Sequence, residues 1–323
     1  MTRAAANLPG PWPARIKQGP WGILAILLGF IGFNVAFNPY FATAYNLSNL
    51  VQQSAALLLV SIGQCFVIIG GGFDFSVGGV VSLTTCMVAT LMQNSPGSYL
   101  LVSALVLAVG CLIGLVNGLG VAFFRINPFI MTIGTMSMAK GLAFAFREYP
   151  GGHVPPQFIK FMTGQIGPLP TPLVIMALAA AAGLFVFRMS RFGRHVYAVG
   201  GAEASAKASG IKVNRIKIAT FILSGFTAAL GGLFMSARIA SGDPRIGESF
   251  PLDSITAVVL GGVVIGGGRG SLAGVIAGTI LLIVLSNMLT LFDVSPYYHY
   301  IVKGVLLGLA VAVTFRKEIR EYF

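Results

Sequence analysis

Ten apolar runs separated by short polar breaks cover the chain, at 21–37, 52–70, 75–92, 99–124, 128–146, 171–187, 216–237, 251–266, 271–292 and 298–315. A helix that crosses a bilayer needs ~20 mostly apolar residues. The pattern therefore predicts an all-α, polytopic membrane protein with about ten transmembrane helices. Not every run is regular. The run 99–124 is long, 251–266 is short, and glycines interrupt 70–79 and 261–270. Broken or re-entrant helices are expected there, since a bilayer tolerates them only where protein or a water-filled path satisfies the backbone.

The polar positions orient these runs. The longest polar interval, 188–217, holds Arg188, Arg191, Arg194, Lys207, Lys212, Arg215 and Lys217 against a single acid, Glu203. Positive residues collect on the cytoplasmic side. With the N-terminus inside, that side receives these seven together with Arg3, Arg15, Lys17, Arg125, Arg269, Arg316, Lys317 and Arg320, while Arg147, Lys160, Arg238 and Arg245 fall outside. Losing one span would put the basic loop and the basic C-terminus on opposite faces. Ten spans with both termini cytoplasmic follow: a tail at 1–20, a membrane domain at 21–315 carrying the loop 188–217, and a tail at 316–323. The loop 147–170 reads as an irregular outer segment, and no separate soluble domain is expected.

Composition agrees. The 323 residues are 56% hydrophobic and 9% charged with a mean hydropathy of +0.86, where a soluble domain is about 25% charged. A net charge of +12 would suggest nucleic acid in a soluble protein. Here the basic residues lie between apolar runs, so topology explains them and no nucleic-acid partner is expected. Cys65, Cys86 and Cys111 lie within apolar runs without a C-x-x-C pair and read as packing residues. The N-terminal pattern imitates a signal peptide, with Ala42-Thr43-Ala44 as an A-x-A, but its apolar run exceeds an h-region of about 7–15 residues. A retained first helix is the better reading.

Candidate chemistry is sparse. No G-x-x-x-x-G-K-[ST] occurs; Gly266-Gly267-Gly268-Arg269-Gly270-Ser271 lacks the lysine of a phosphate-cradling loop. No H-E-x-x-H appears, and His153, His195 and His299 are far apart in this topology. The reading is not an enzyme, with no metal site and no cofactor of its own; any ATP must be bound by another chain. The run Ala202–Ser209, between Gly200-Gly201 and Gly210, reads as a short cytoplasmic helix with an αL stop and a Glu203–Lys207 i,i+4 pair. It is either a connector or a docking device, and docking is preferred. Asp74, at the break Gly70–Gly79, could cap the next helix or bind a solute or cation; the cap is preferred. Lys140 and Lys303 sit toward outer span ends and are expected to snorkel. Gln64, Thr84, Thr85 and Asn117 are further polar candidates for a path. A faint repeat links Ile69-Gly70-Gly71-Gly72 through Ser82 with Ile265-Gly266-Gly267-Gly268 through Thr279.

Four ordered motifs between about Leu47 and Ala312 resemble the membrane permease subunits of bacterial ABC importers for ribose, galactose and similar monosaccharides. Gly71-Gly72-Phe73-Asp74-Phe75-Ser76-Val77-Gly78 is similar to the family's G-G-x-D-L-S-V-G. Asn117-Gly118 and Pro128-Phe129-Ile130-Met131-Thr132-Ile133-Gly134 are similar to N-G and P-F-I-x-T-L-G. Phe192-Gly193-Arg194 through Tyr197-Ala198-Val199-Gly200-Gly201, then Ala206 and Ser209-Gly210-Ile211, follow F-G-R-x-x-Y-A-x-G-G-N-x-x-A-A-x-x-S-G-I. Leu252 to Gly262 resembles L-D-A-I-A-A-V-V-L-G-G, and Gly267–Ser271 follows as G-G-x-G-S/T.

The resemblance implies an inner-membrane permease that works with an ABC ATPase carrying ATP and Mg, a periplasmic sugar-binding protein, and a second permease copy or paralogue. Residues implied for ATPase coupling are Phe192, Gly193, Arg194, Gly200, Gly201, Glu203, Ala206, Lys207, Gly210 and Ile211. Gly72, Asp74, Ser76, Asn117, Pro128 and Thr132 are implied for the structural motif and path. Arg238, Asp243, Arg245, Glu248 and Asp253 are candidates for meeting the binding protein. Two departures stand out: Ala202 replaces the usual Asn, removing a polar cap, and Pro251 replaces the usual Glu. An ion-coupled secondary transporter is the rival reading, though only Asp74 and Asp253 offer acids, both near span ends. A nucleoside or a sugar-like signal molecule is the alternative cargo.

Overall fold

The computed structural model describes residues 21–322, with backbone only for residue 296 and for 313–322. The expected tail 1–20, with Arg3, Arg15 and Lys17, lies outside the described residues. Thirteen helices follow one another among the described residues: α1 Trp21–Phe37, α2 Ala44–Ile69, α3 Ser76–Leu91, α4 Pro96–Ala122, α5 Pro128–Phe146, α6 Pro156–Thr163, α7 Thr171–Met189, α8 Arg191–Gly201, α9 Glu203–Ala208, α10 Val213–Ile239, α11 Phe250–Leu260, α12 Leu272–Leu291 and α13 Pro296–Tyr322. Six of them, α2, α4, α5, α7, α10 and α12, are long and apolar enough to cross a membrane, and α1, α3, α11 and part of α13 are shorter apolar helices.

The helices start where short polar residues can take the first free N–H groups. Thr43 accepts from Asn46, Ser95 from Ser98, Asn127 from Phe129, Ser190 from Gly193 and Ser271 from Gly274. Proline at the first or second position, as in α4, α5 and α7, loses nothing because that N–H is free in any case.

At the centre stands α2, buried almost continuously from Ser54 to Ile69. A helix this apolar and this buried faces protein on all sides, not lipid. Against it runs α10, and behind α10 runs α4. The α4–α10 seam is a glycine ridge. A Cβ on Gly110 would sit 2.5 Å from the Gly225 carbonyl oxygen, one on Gly114 2.2 Å from that of Phe221, and one on Gly118 2.7 Å from Ile218 Cα. The four-residue spacing Gly110, Gly114, Gly118 puts one bare strip along α4, so the backbones meet directly. Such contacts hold membrane helices together where lipid offers no hydrophobic drive. The opposite face of α4 exposes Leu100, Leu101, Leu105, Leu112 and Val116.

One expectation needs correction, and another, a broken helix at 261–270, is met. The segment 147–170, expected on the outer side, is not wholly irregular: it holds α6 and a two-residue antiparallel pair, β1 (Gln165–Ile166) with β2 (Leu169–Pro170). The run 251–266 is not one helix. α11 ends at Leu260, giving 11 residues or ~16 Å at 1.5 Å per residue, about half of a 30 Å hydrocarbon core. The glycines 261–270 then carry the chain onward without helix. Before α11, the segment 240–249 lies along α3: Gly242 packs at Thr85–Ala89, Asp243 bonds Thr85, and Gly247 N–H donates to Ser82 Oγ at 3.0 Å. The chain turns into this segment at Ala240, which adopts a left-handed φ of 54°.

Candidate functional site

The polar interval folds into two helices. Ser190 ends α7 and caps α8, and the corner is tight enough that a Cβ on Gly193 would meet the Val186 carbonyl oxygen at 2.4 Å. α8 is amphipathic: Gly193, Val196 and Val199 are buried while Arg191 and Arg194 are exposed. Phe192 and Phe187 both face Phe66 of α2, at ring distances of 6.0 and 3.9 Å. Tyr197 donates its hydroxyl to the Gly270 carbonyl at 2.9 Å. Burial pushes the Tyr197 phenol upward, so it remains a neutral donor through the working pH range.

The expected short helix is α9. Ala202 occupies its N-cap with extended backbone and no side-chain cap bond, the consequence of having alanine where the resemblance calls for Asn. Its far end is closed by a full glycine motif: Gly210 at φ 81°, Gly210 N–H to Lys207 O at 3.0 Å, and Ile211 N–H to Ala206 O at 3.1 Å. Ala206 is buried with Val199 and Val213, and Ile211 packs on the same cluster. Ala204, Ser205, Lys207 and Ala208 are exposed. α9 thus presents a small-residue surface from a helix pinned at its back.

The expected Glu203–Lys207 pair is not formed. Glu203 Oε2 instead meets Lys217 Nζ of α10 at 2.6 Å, which ties α9 to the start of a long helix. Beside Lys217, a cavity of about 30 Å³ is lined by Gly70, Gly71, Gly72, Pro128, Thr220 and Phe221.

Three glycine stretches that are distant in sequence converge under α8. Gly268 N–H donates to Ile69 O at 2.8 Å. A Cβ on Gly200 would lie 1.8 Å from Ile69 O and 2.7 Å from Gly268 N, and one on Gly267 3.0 Å from Gly71 Cα. The two glycine triplets of the faint repeat therefore touch one another, with the end of α8 wedged between them. Gly267 and Gly268 adopt φ of 84° and 68°, left-handed values that only glycine takes without strain.

Above this junction lies a buried polar string. Asp74 Oδ1 accepts from Ser76 N–H at 2.9 Å and from the Ser76 hydroxyl at 2.5 Å, so Asp74 takes the first N–H of α3 from one position before the N-cap, Phe75. Asn117 donates to Ser76 Oγ at 2.8 Å, and Thr135 donates to Asn117 Oδ1 at 2.7 Å. Asp74, Ser76, Asn117 and Thr132 are all fully buried. Thr132 bonds its own helix at Pro128 O, 2.8 Å away, and Pro128 packs near Gly72. Among the described residues, Ser61 Oγ, both ends of the Gln64 amide, Asp74 Oδ2 and Ser224 Oγ find no partner within hydrogen-bond geometry, although Ser224 lies near enough to Asp74 to interact with its carboxyl group. Groups of this kind are met by ordered water or bound solute. Thr84 and Thr85 are buried in α3 and belong to its packing.

The candidates expected on the outer side separate into two kinds. Lys140 does not snorkel alone but pairs with Glu248. Lys303 pairs with Asp253 at 2.9 Å, both side chains largely buried, so Asp253 is engaged within the chain. Asp243 accepts from Arg245 N–H at 2.8 Å, and Arg245 lies over the Phe144 ring at 5.8 Å. Arg238 is partly buried; Arg245 and Glu248 are exposed. Among the described residues no His, Cys, Asp and Glu group could hold a metal ion, and the three cysteines are free thiols in α2, α3 and α4.

The model of a protein family described as branched-chain amino acid transport system / permease component matches residues 46–311. The chain belongs to this family. This permease component is 36% identical over 302 residues to the ribose import permease protein of Escherichia coli (strain K12), covering 91% of this chain and 93% of that one. It is 34% identical over 301 residues to the ribose import permease protein of Haemophilus influenzae, with 92% of each chain covered. The galactose/methyl galactoside import permease protein of Escherichia coli (strain K12) is 33% identical over 325 residues, covering 95% and 96%. No solved structure matches significantly.

Several functional groups escaped the motif reading. The α4 glycine ridge was signalled by its four-residue spacing. Thr135 carried no pattern of its own, and the motif position of Tyr197 did not reveal its bond to Gly270. The Glu203–Lys217, Lys140–Glu248 and Lys303–Asp253 pairs join segments that only the fold brings together.

Proposed function

We propose that this chain is the membrane-crossing subunit of an ATP-driven importer that moves a monosaccharide into a bacterial cell. It crosses the inner membrane ten times with both termini inside, α11 and the glycine segment 261–271 together making one crossing. A periplasmic binding protein delivers the sugar to the outer face, a second permease copy or paralogue completes the path, and a separate ABC ATPase binds ATP and Mg and seats on α9. The observation that carries the coupling reading is the construction of α9: a six-residue helix held by the Ala206–Val199–Val213 cluster, the Gly210 closure and the Glu203–Lys217 pair. A helix this short is not stable alone, so the fold supports it for a purpose its exposed alanines fit, the close approach of another surface. Sugar as cargo is supported by the ribose and galactose relatives, each aligned over nine-tenths of the chain.

Force applied at α9 would pass through Val213 and Lys217 into α10, and through α8 into the glycine junction. ATP must favour one of two docked geometries for this to move the spans, because a ligand shifts an equilibrium only by its differential affinity for the two states. The test is co-purification with the ATPase and binding protein, then ATPase stimulation across a sugar panel in nanodiscs. Stimulation by at least one loaded monosaccharide is expected. Ion-gradient-driven uptake by this chain alone in vesicles would support the secondary-transporter reading instead.

A further inference from the structure

A cavity of about 150 Å³ lies away from the coupling loop, lined by Gly78, Gly79 and Ser82 of α3, Met136 and Lys140 of α5, and Glu248 of the segment 240–249. Liquid water takes ~30 Å³ per molecule, so the space is of the order of five waters. That is the size class of a single sugar ring, and well short of the ~300 Å³ at which sites for drug-sized ligands begin.

Its walls have distinct chemistry. Gly78 and Gly79 leave bare backbone because packing excludes a side chain: a Cβ at Gly78 would lie 2.5 Å from Gly247 O, and one at Gly79 2.7 Å from Met136 O. Ser82 is buried, and its oxygen accepts from Gly247 N–H at 3.0 Å. Among the described residues its own O–H finds no acceptor, so a hydroxyl donor is free at the cavity wall. Met136 supplies one apolar wall. Lys140 and Glu248 pair at the mouth, with side chains 37% and 53% exposed.

An exposed ion pair on an otherwise apolar helix does not suit lipid, where each charge is costly. Gly134, Ser137 and Gly141 share the exposed side of α5 with it, and nothing lies within 4 Å of a Cβ built on either glycine. The same side also exposes Ile130 and Met138, so it is the ion pair, not the whole face, that calls for water or protein. The mouth carries one ammonium and one carboxylate already bonded to each other, so it is electroneutral. It suits a neutral polyhydroxylated solute, whose hydroxyls can donate to a carboxylate and accept from an ammonium without displacing either charge.

We propose that this cavity is a transient monosaccharide site on the outer part of the path. Ser82 O–H donates to the sugar, Glu248 accepts from adjacent hydroxyls, Lys140 donates to a ring or hydroxyl oxygen, and Met136 packs on a C–H face. The proposal rests on the sugar-importer reading above.

The test uses the complete importer, with its ATPase and binding protein, in liposomes, with D-ribose, D-galactose and L-leucine as probes. Sugar moved per ATP hydrolysed is read for Ser82→Ala, Lys140→Met, Glu248→Gln and the double swap Lys140→Glu/Glu248→Lys. Glu248→Gln and Lys140→Met are expected to lower that ratio about tenfold, the scale of a lost hydrogen bond to a charged group. Ser82→Ala should lower it less. The swap, which keeps an ion pair, should not restore it. Recovery in the swap assigns the pair a purely structural role and overturns the site. An unchanged ratio overturns it too, including the case where uptake and ATPase stimulation fall together because Glu248 serves binding-protein docking. If the unmodified importer moves L-leucine and neither sugar, the sugar reading itself fails, and this site with it.

Discussion

Gly200 and Gly201 are neighbours at the end of α8, and the structure predicts opposite responses to the same added methyl group. A Cβ on Gly200 would sit 1.8 Å from Ile69 O and 2.7 Å from Gly268 N, whereas one on Gly201 would find Gly268 Cα at 3.9 Å, an ordinary contact. Both obstacles at Gly200 are backbone atoms, so no rotamer can relieve them. α8 must retreat by more than 1 Å to reach a tolerable separation, and the 2.8 Å Gly268–Ile69 bond is then strained or lost. Overpacking costs roughly 1–3 kcal/mol and a lost backbone hydrogen bond about 0.5–1.5 kcal/mol. Their sum, about 2–4 kcal/mol, falls on the geometry in which the three glycine segments touch. A bias of that size is as large as the roughly 1–3 kcal/mol, or 5–150-fold, typical of coupling between sites. In reconstituted importer, Gly200→Ala should therefore cut sugar moved per ATP about tenfold or more, while Gly201→Ala stays within about twofold of the parent. Thermal midpoints of both variants check that the fold persists. Equal behaviour of the two would refute the junction as a coupling element.

Other expectations can be measured on the same preparations. Asn117→Ala removes the two buried bonds that link Ser76 with Thr135, at about 0.5–1.5 kcal/mol each, while both hydroxyls keep other partners; a lower thermal midpoint of the purified permease is the readout. Tyr197→Phe leaves the Gly270 carbonyl without its donor and should cost about 0.5–1.5 kcal/mol. Because burial raises the Tyr197 pKa, the phenol keeps its proton, and the parent should show no stability change from this group between neutral pH and pH 9. Lys217→Met should weaken coupling more than stability, since a partly exposed ion pair contributes only about 0.2–1 kcal/mol. Uptake per ATP compared with the thermal midpoint separates the two effects.

The parts that were legible in the sequence are those decided by local chemistry. Gly210 announced the end of α9 because an αL stop needs glycine, and Ala202 announced an uncapped start because alanine has no acceptor. The shortness of 251–266 foretold that α11 could not cross alone. What could not be read was set by packing between distant segments. Glu203 has two lysines in reach of a side chain, and only the angle at which α10 departs selects Lys217 over Lys207. Lys140 and Lys303 looked like ordinary snorkelling lysines because Glu248 and Asp253 lie 108 and 50 residues away. The repeat of glycine triplets was visible, but that the two copies touch, with Gly200 between them, required the fold.

The glycines of this chain sit in two mechanically opposite settings, and the distinction bears on the coupling proposed above. Along α4 they remove all side-chain bulk, so that Gly110, Gly114 and Gly118 lock onto a regular helix, α10, whose own hydrogen bonds are complete. Such a seam cannot slide without separating over its whole length, because close-packed interfaces have discrete rather than continuous arrangements. α4 and α10, with α2 packed on α10 through Gly63, should therefore move as one body. At the junction, by contrast, Gly71, Gly267 and Gly268 lie in non-helical backbone with positive φ, tied by single turn and cross-segment hydrogen bonds rather than by a continuous helical ladder, so a bend there breaks fewer bonds than one within α4 or α10. On the coupling proposed above, a push on α9 would tilt the α4–α10 body and bend the chain at the junction. Gly114→Leu, which drives a side chain into Phe221 O, should abolish folded yield rather than coupling. A folded Gly114→Leu permease with normal stability but lost coupling would show that the seam moves, and this division of labour would be wrong.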